Sequence, residues 1–136
     1  MKLLLRITAT LCLILCTHFA NAAQSPPVYY DPKTPITVSA AQPEFAIRLK
    51  SNPTTGFSWT LKEFDSHIIE VQGHRYLPPT SQLVGAGGYE IWSFKVKPEA
   101  FTTASQSDLR FVYARPWARD DQPTTVVFSV ATEGKR

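Results

Sequence analysis

From residue 45 onward the large apolar residues of this chain recur at every second position, and no window of ten or more residues spaces them by three and four. Phe45, Ile47 and Leu49 alternate with Ala46, Arg48 and Lys50, which puts three bulky side chains on one face of an extended segment. The pattern returns at Trp92, Phe94 and Val96, at Leu109, Phe111 and Tyr113, and at Val126, Phe128 and Val130. A helix cannot gather residues of that period onto one side, so four half-buried strands are expected. Shorter candidates, Ile36 to Ser39, Phe57 to Leu61, Ile68 to Val71 and His74 to Leu77, are bounded by Pro, Gly, Asn, Asp or Ser, which favour turns. Seven or eight short strands at intervals of about 8 to 12 residues predict an all-β chain, an immunoglobulin-like β-sandwich of seven to eight strands. The Cys, Trp, Cys pattern of antibody domains is absent, so the expectation concerns architecture alone.

Two segments precede the strands. Lys2 and Arg6 flank an apolar run from Leu11 to Leu15 that ends in Ala20-Asn21-Ala22, the layout of a secretory signal peptide cleaved after Ala22. A membrane anchor needs about 20 consecutive apolar residues, and Lys2, Arg6, Thr8, Thr10 and Thr17 interrupt this stretch. Lipid attachment at Cys16 calls for a small preceding residue, where this chain has Leu15. Residues 23–35 carry Pro26, Pro27, Pro32 and Pro35 and read as an extended, poorly packed lead-in, leaving residues 36–136 as one domain. The expected location is outside the cytoplasm, in a periplasm or secreted.

Removing the leader changes what the composition means. Lys2 and Arg6 account for two of the 14 basic residues, so the mature chain has 12 against 11 acids and a formal charge of +1 rather than +3. A near-neutral domain without a Lys/Arg run lacks the electrostatic footprint of nucleic-acid binding and has little attraction to anionic membrane surfaces. Both cysteines, Cys12 and Cys16, lie in the leader, so no disulfide, thiolate metal site or cysteine nucleophile is expected. The remaining imidazoles, His67 and His74, are seven residues apart, on opposite faces of any continuous strand, and Gly73 is expected to break that strand. Glu63, Asp65 and Glu70 lie nearby with no recognised metal-ligand spacing, and this group reads as solvated surface. Asp120-Asp121 likewise reads as a turn with solvated charge. Neither an enzyme nor a cofactor-binding or metal-binding protein is indicated.

Function on a sandwich sits in loops held by rigid strands, and three loops here are not ordinary turns. Asn52-Pro53-Thr54-Thr55-Gly56 is short and stiff, because Pro53 fixes one φ and Gly56 can take a positive one. Pro78 to Gly88 has no alternation and ends in Gly85-Ala86-Gly87-Gly88, glycines that serve either tight turning or close approach of another backbone. Arg115-Pro116-Trp117 follows the Leu109 strand, and its indole either packs on the base of its own loop or is offered to a partner.

In this order and spacing, Asn52 to Gly56 (followed by Phe57-Ser58-Trp59), Gly85 to Gly88 and Arg115 to Trp117 resemble the chagasin family of cysteine-peptidase inhibitors, over residues from about Val38 to Ala131. The resemblance implies an immunoglobulin-like fold and a papain-like cysteine peptidase as partner. It also implies that Asn52, Pro53, Thr54, Thr55 and Gly56 enter beside the catalytic cysteine, flanked by Gly85, Ala86, Gly87 and Gly88 on one side and Arg115, Pro116 and Trp117 on the other. Inhibition would be reversible and occlusive, by a monomer, with Thr54 nearest the thiolate. The alternative is an exported binding module for carbohydrate or cell-surface ligands, using Trp117, Tyr29, Tyr30 and Tyr89 for stacking.

Overall fold

The computed structural model describes residues 24–134; the signal-peptide reading of residues 1–22 falls outside them. The alternating segments form strands in the order β1 (Val28–Tyr29), β2 (Ile36–Val38), β3 (Glu44–Ser51), β4 (Ser58–Glu63), β5 (Ile69–Leu77), β6 (Gly88–Val96), β7 (Gln106–Ala114) and β8 (Thr124–Thr132). Single 3₁₀ turns at Pro53–Thr55 and Pro98–Phe101 interrupt them. Two four-stranded sheets result, β1-β3-β6-β5 and β2-β8-β7-β4. The two terminal pairings, β1 with β3 and β2 with β8, are parallel, and the others are antiparallel.

The alternating residues predicted to face inward do so. Phe45, Ile47, Phe94, Leu109, Phe111, Phe128 and Val130 are buried between the sheets. Phe45 stacks on Phe94 with ring centroids 5.3 Å apart, Phe94 meets Phe111 edge-on at 6.3 Å, and Phe111 meets Phe128 edge-on at 6.1 Å. This column of rings supplies the large apolar area a domain without disulfides needs.

Two expectations need correction. Ile68 to Val71 and His74 to Leu77 are one strand, β5, because Gly73 does not break it: the extra residue is taken up as a bulge between Val71 and Gly73, and pairing with β6 resumes at once. The lead-in is not poorly packed throughout. β1 adds to the edge of β3, the Ala46 amide donates to the Pro27 carbonyl at 2.9 Å, and Tyr29 meets Phe45 edge-on at 6.4 Å. Proline is tolerated there because an edge strand needs only some of its donors.

The chain crosses between the sheets at residues 52–57, from β3 to β4. The β5–β6 connection belongs wholly to the first sheet and the β7–β8 connection wholly to the second. The crossover loop is thus central, with one flanking loop hung from each sheet.

Candidate functional site

Loop 1, Asn52 to Gly56, is a single 3₁₀ turn closed by hydrogen bonds that the Thr55 amide donates to the Asn52 carbonyl (3.1 Å) and the Gly56 amide to the Pro53 carbonyl (2.9 Å). Pro53 opens the turn and Gly56 ends it at φ +82°, a conformation that costs a side-chain-bearing residue strain. Asn52 is its hub. Its amide donates to the Tyr113 hydroxyl (2.9 Å), its Oδ1 accepts from Thr54 Oγ1 (2.6 Å), its carbonyl accepts from Thr55 Oγ1 (2.6 Å), and its Nδ2 donates to the Gly85 carbonyl (3.3 Å). Pro53, Thr54 and Thr55 are exposed at the crest. Both threonine hydroxyls spend their proton inside the loop, so they offer a partner acceptors only, not donors.

Loop 2 runs from Pro78 to Gly87, and its glycines divide between the two readings left open above. Gly85 takes φ +82° in a turn closed from the Ala86 amide to the Leu83 carbonyl (3.1 Å). Contacts within the chain exclude a Cβ at Gly88, where it would clash with the Leu77 carbonyl oxygen, and crowd one at Gly87, where it would lie 3.1 Å from the Ser51 carbonyl oxygen. Loop 2 therefore rests on loop 1 through bare backbone, and a cleft of about 410 Å³ lined by Lys50, Ser51, Asn52, Gly85, Gly87 and Tyr113 lies between them. The turn lifts Leu83 and Val84 into solvent, Val84 completely. The sequence reading centred on the glycines passed over these two residues, although an apolar pair at the head of a Gly turn was the available clue.

Loop 3 starts at Arg115. Its guanidinium turns back onto its own loop, donating to Asp121 from Nε (2.5 Å) and Nη2 (2.7 Å) and lying 5.0 Å above the Phe57 ring. Asp121 is therefore not a solvated turn charge. The hydrogen bonds from Arg115 hold its carboxyl below the usual carboxylate range, and Asp121 in turn raises Arg115. The fork freezes the loop base while Trp117 stays 70% exposed. One edge of the indole lies over Gly56, where a Cβ would come within 2.7 Å of Cζ2. The indole thus both leans on loop 1 and faces outward. The three predicted segments share one pole, with loop 1 in direct contact with each neighbour.

Beneath the pole lies a support that sequence reasoning missed. Glu90 on β6 is 3% exposed, and a carboxylate so buried needs donors around it. Its Oε1 accepts from Ser51 Oγ (2.6 Å) and from the Trp59 amide (3.2 Å), and its Oε2 pairs with His74 Nε2 (2.8 Å). Ser51 and Trp59 are the two stems of loop 1, one in each sheet. Trp59 Nε1 adds a bond to the Lys50 carbonyl (2.9 Å), and Trp59 stacks on Tyr113 at 4.8 Å. His74 is accordingly not mere solvated surface: it bonds Glu90 and stacks on Trp92 at 4.1 Å. Among the described residues His67 makes no such contact, only a hydrogen bond from its backbone amide to Asp65 Oδ1 (2.9 Å), and no three His, Cys, Asp or Glu gather as metal ligands.

The aromatics of the alternative reading do not form one stacking surface. Tyr29 packs on the core, Tyr30 and Tyr89 flank Arg48, and Trp117 stands at the loop pole.

Against known proteins, the family model described as Chagasin family peptidase inhibitor I42 matches residues 39–131, a span that holds all three loops. The chain belongs to the chagasin family. It is 39% identical over 75 residues to chagasin of Trypanosoma cruzi, an alignment covering 52% of this chain and 64% of that protein's length. Among solved structures it is similar to the cysteine protease inhibitor EhICP2 of Entamoeba histolytica (TM-score 0.56, 16% identity, covering 80% of this chain and 95% of that one). It is also similar to amebosin in solution (TM-score 0.57, 21% identity, covering 82% and 99%). At such identities these two likenesses concern the fold alone, an all-β immunoglobulin-like sandwich.

Proposed function

We propose that this member of the chagasin family is a reversible, occlusive inhibitor of papain-like cysteine peptidases, and not itself an enzyme. The observation that carries this reading is the junction of the three loops: a self-bonded polar crest, Pro53 to Thr55, stands between two exposed apolar anchors, Leu83-Val84 and Trp117. A groove that accepts extended peptide is filled by a narrow convex wedge; Trp117 at one flank is of the residue type that supplies hot-spot affinity, and Leu83-Val84 at the other add apolar contact area.

The wedge is not a substrate, because residues 53–55 are coiled into a 3₁₀ turn and a peptidase of this class needs an extended scissile segment. With both hydroxyl protons engaged by Asn52, the two threonine side chains at the crest present lone pairs to a partner. Asn52, Pro53, Thr54, Thr55 and Gly56 form the central element. Gly85 to Gly88 hold loop 2 against it, and Arg115, Pro116 and Trp117 form the third contact, with Arg115 acting through its fork on Asp121. The inhibitor acts as a monomer outside the cytoplasm, in a periplasm or secreted, after loss of residues 1–22. Residues 23–136 titrated into papain should abolish hydrolysis stoichiometrically, with activity returning on dilution. Papain and its relatives unaffected by micromolar protein would exclude the reading, and cleavage between residues 52 and 56 would exclude the occlusive mode.

A further inference from the structure

The outer face of the first sheet changes electrostatic character along its length. Next to the loops, Lys50, Tyr89 and Leu77 lie side by side across β3, β6 and β5, and the next outward-facing row is Arg48, Ile91 and Arg75. At the far end Glu44 and Glu70 both stand opposite Lys95, and Glu44 pairs with it at 3.8 Å. The ion pairs among the described residues are Lys95–Glu44, Arg110–Glu63 and Arg115–Asp121, beside the hydrogen bond between His74 and Glu90, so Arg48, Lys50 and Arg75 belong to none.

Arg48 is held in place without an acid. Its guanidinium lies 5.4 Å from the Tyr30 ring centroid and 4.8 Å from that of Tyr89, and its Nε is shielded from solvent with no hydrogen-bond acceptor among the described residues. Two aromatic faces fix the side chain but leave its charge uncompensated. Loops 1 and 2 themselves contain no charged residue. In a mature chain of formal charge near +1, three unpaired cations beside a neutral wedge are a local feature, and Lys50 also lines the cleft between loops 1 and 2.

We propose that Arg48, Lys50 and Arg75 form a secondary contact surface for carboxylates on the inhibited peptidase, on the rim of its cleft beside loop 2. The surface is continuous with the wedge, which fixes where the partner's acids must lie, and its charge opposes theirs. Its effect is on encounter: complementary charge outside the fitted contact accelerates association and selects partners more than it lengthens residence. This inference rests on the inhibitor reading and names which papain-like enzymes are captured fastest, those with an acidic rim at that place.

The test compares residues 23–136 with the variant Lys50→Glu/Arg75→Glu by stopped-flow inhibition. Two papain-like peptidases that the unaltered protein inhibits are used, one acidic and one basic around the cleft. At low ionic strength the variant should associate about tenfold more slowly with the acidic enzyme. The difference should vanish near 1 M salt, where screening acts within about 3 Å. Association with the basic enzyme should not slow. Equal rates for both proteins with the acidic enzyme would overturn the proposal while leaving the inhibitor reading intact, as would a deficit that persists in high salt. Salt-dependent retention on heparin that the variant loses, with unchanged association rates, would reassign the surface to a polyanion. Absence of inhibition by the unaltered protein would instead remove the reading on which the proposal rests.

Discussion

Gly56→Ala separates the geometry of the pole from the stability of the sandwich. The residue sits at φ +82°, where an L side chain costs about 1–2 kcal/mol. The new Cβ would lie 2.7 and 2.8 Å from Cζ2 and Cη2 of Trp117 and 3.4 Å from Cδ of Arg115. Because the indole is 70% exposed, it can swing outward, so the clash should move the ring rather than load the core. Stability should therefore fall by the backbone cost alone, about 1–2 kcal/mol, or about 4–8 °C in Tm per kcal/mol for a domain near this size. Inhibition of papain should weaken separately, by up to about 2 kcal/mol, or roughly 30-fold, because Trp117 is an anchor whose position matters. The diagnostic is a double-mutant cycle. With Trp117→Ala already in place, Gly56→Ala should retain its Tm cost and lose most of its effect on the inhibition constant. Additive effects on inhibition, or a Gly56→Ala protein that inhibits like the original, would refute the claim that loop 1 sets the indole's position. Gly73→Ala is the control, since its Cβ meets nothing within 4 Å, and both Tm and inhibition should be retained.

Other consequences follow from neighbouring residues. Glu90→Leu strands Ser51 Oγ, the Trp59 amide and His74 and should cost about 3 kcal/mol in urea denaturation, whereas Glu90→Gln keeps an acceptor oxygen and should cost less. The Asp121 carboxyl is held below its ordinary range by Arg115, so the fork contributes at any pH above the unfolded carboxyl's value and is lost as pH falls through the lower folded value. Trp117 fluorescence should accordingly change on acidification below the usual carboxylate range, and Asp121→Asn should remove that transition. Gly88→Ala drives a Cβ into the Leu77 carbonyl oxygen and should destabilise by at least about 2 kcal/mol, seen as early amide exchange in β5 and β6.

The strands were legible because each buries one face, so their side chains obey a strict period of two; Phe45, Phe94, Phe111 and Phe128 could be assigned inward from spacing alone. Loop 1 was legible for a local reason, since Pro53 and Gly56 have few conformational options. What could not be read depends on pairings distant in sequence. Glu90 alternates correctly as an inward residue, yet its burial makes sense only once Ser51, Trp59 and His74 surround it. The continuity of β5 turned on whether Gly73 would bulge or break, which the partner strand decides. Asp121 looked solvated because a six-residue separation in an irregular loop carries no periodic signal for its fork with Arg115.

Since loop 2 descends from one sheet and loop 3 from the other, the spacing of their roots is set by the thickness of the sandwich, about 10 Å between packed sheets. The column of phenyl rings deep inside therefore works as a calliper for the tip. A methylene added or removed at Phe111 or Phe128, far from any peptidase, would open or close the jaws that straddle the crest.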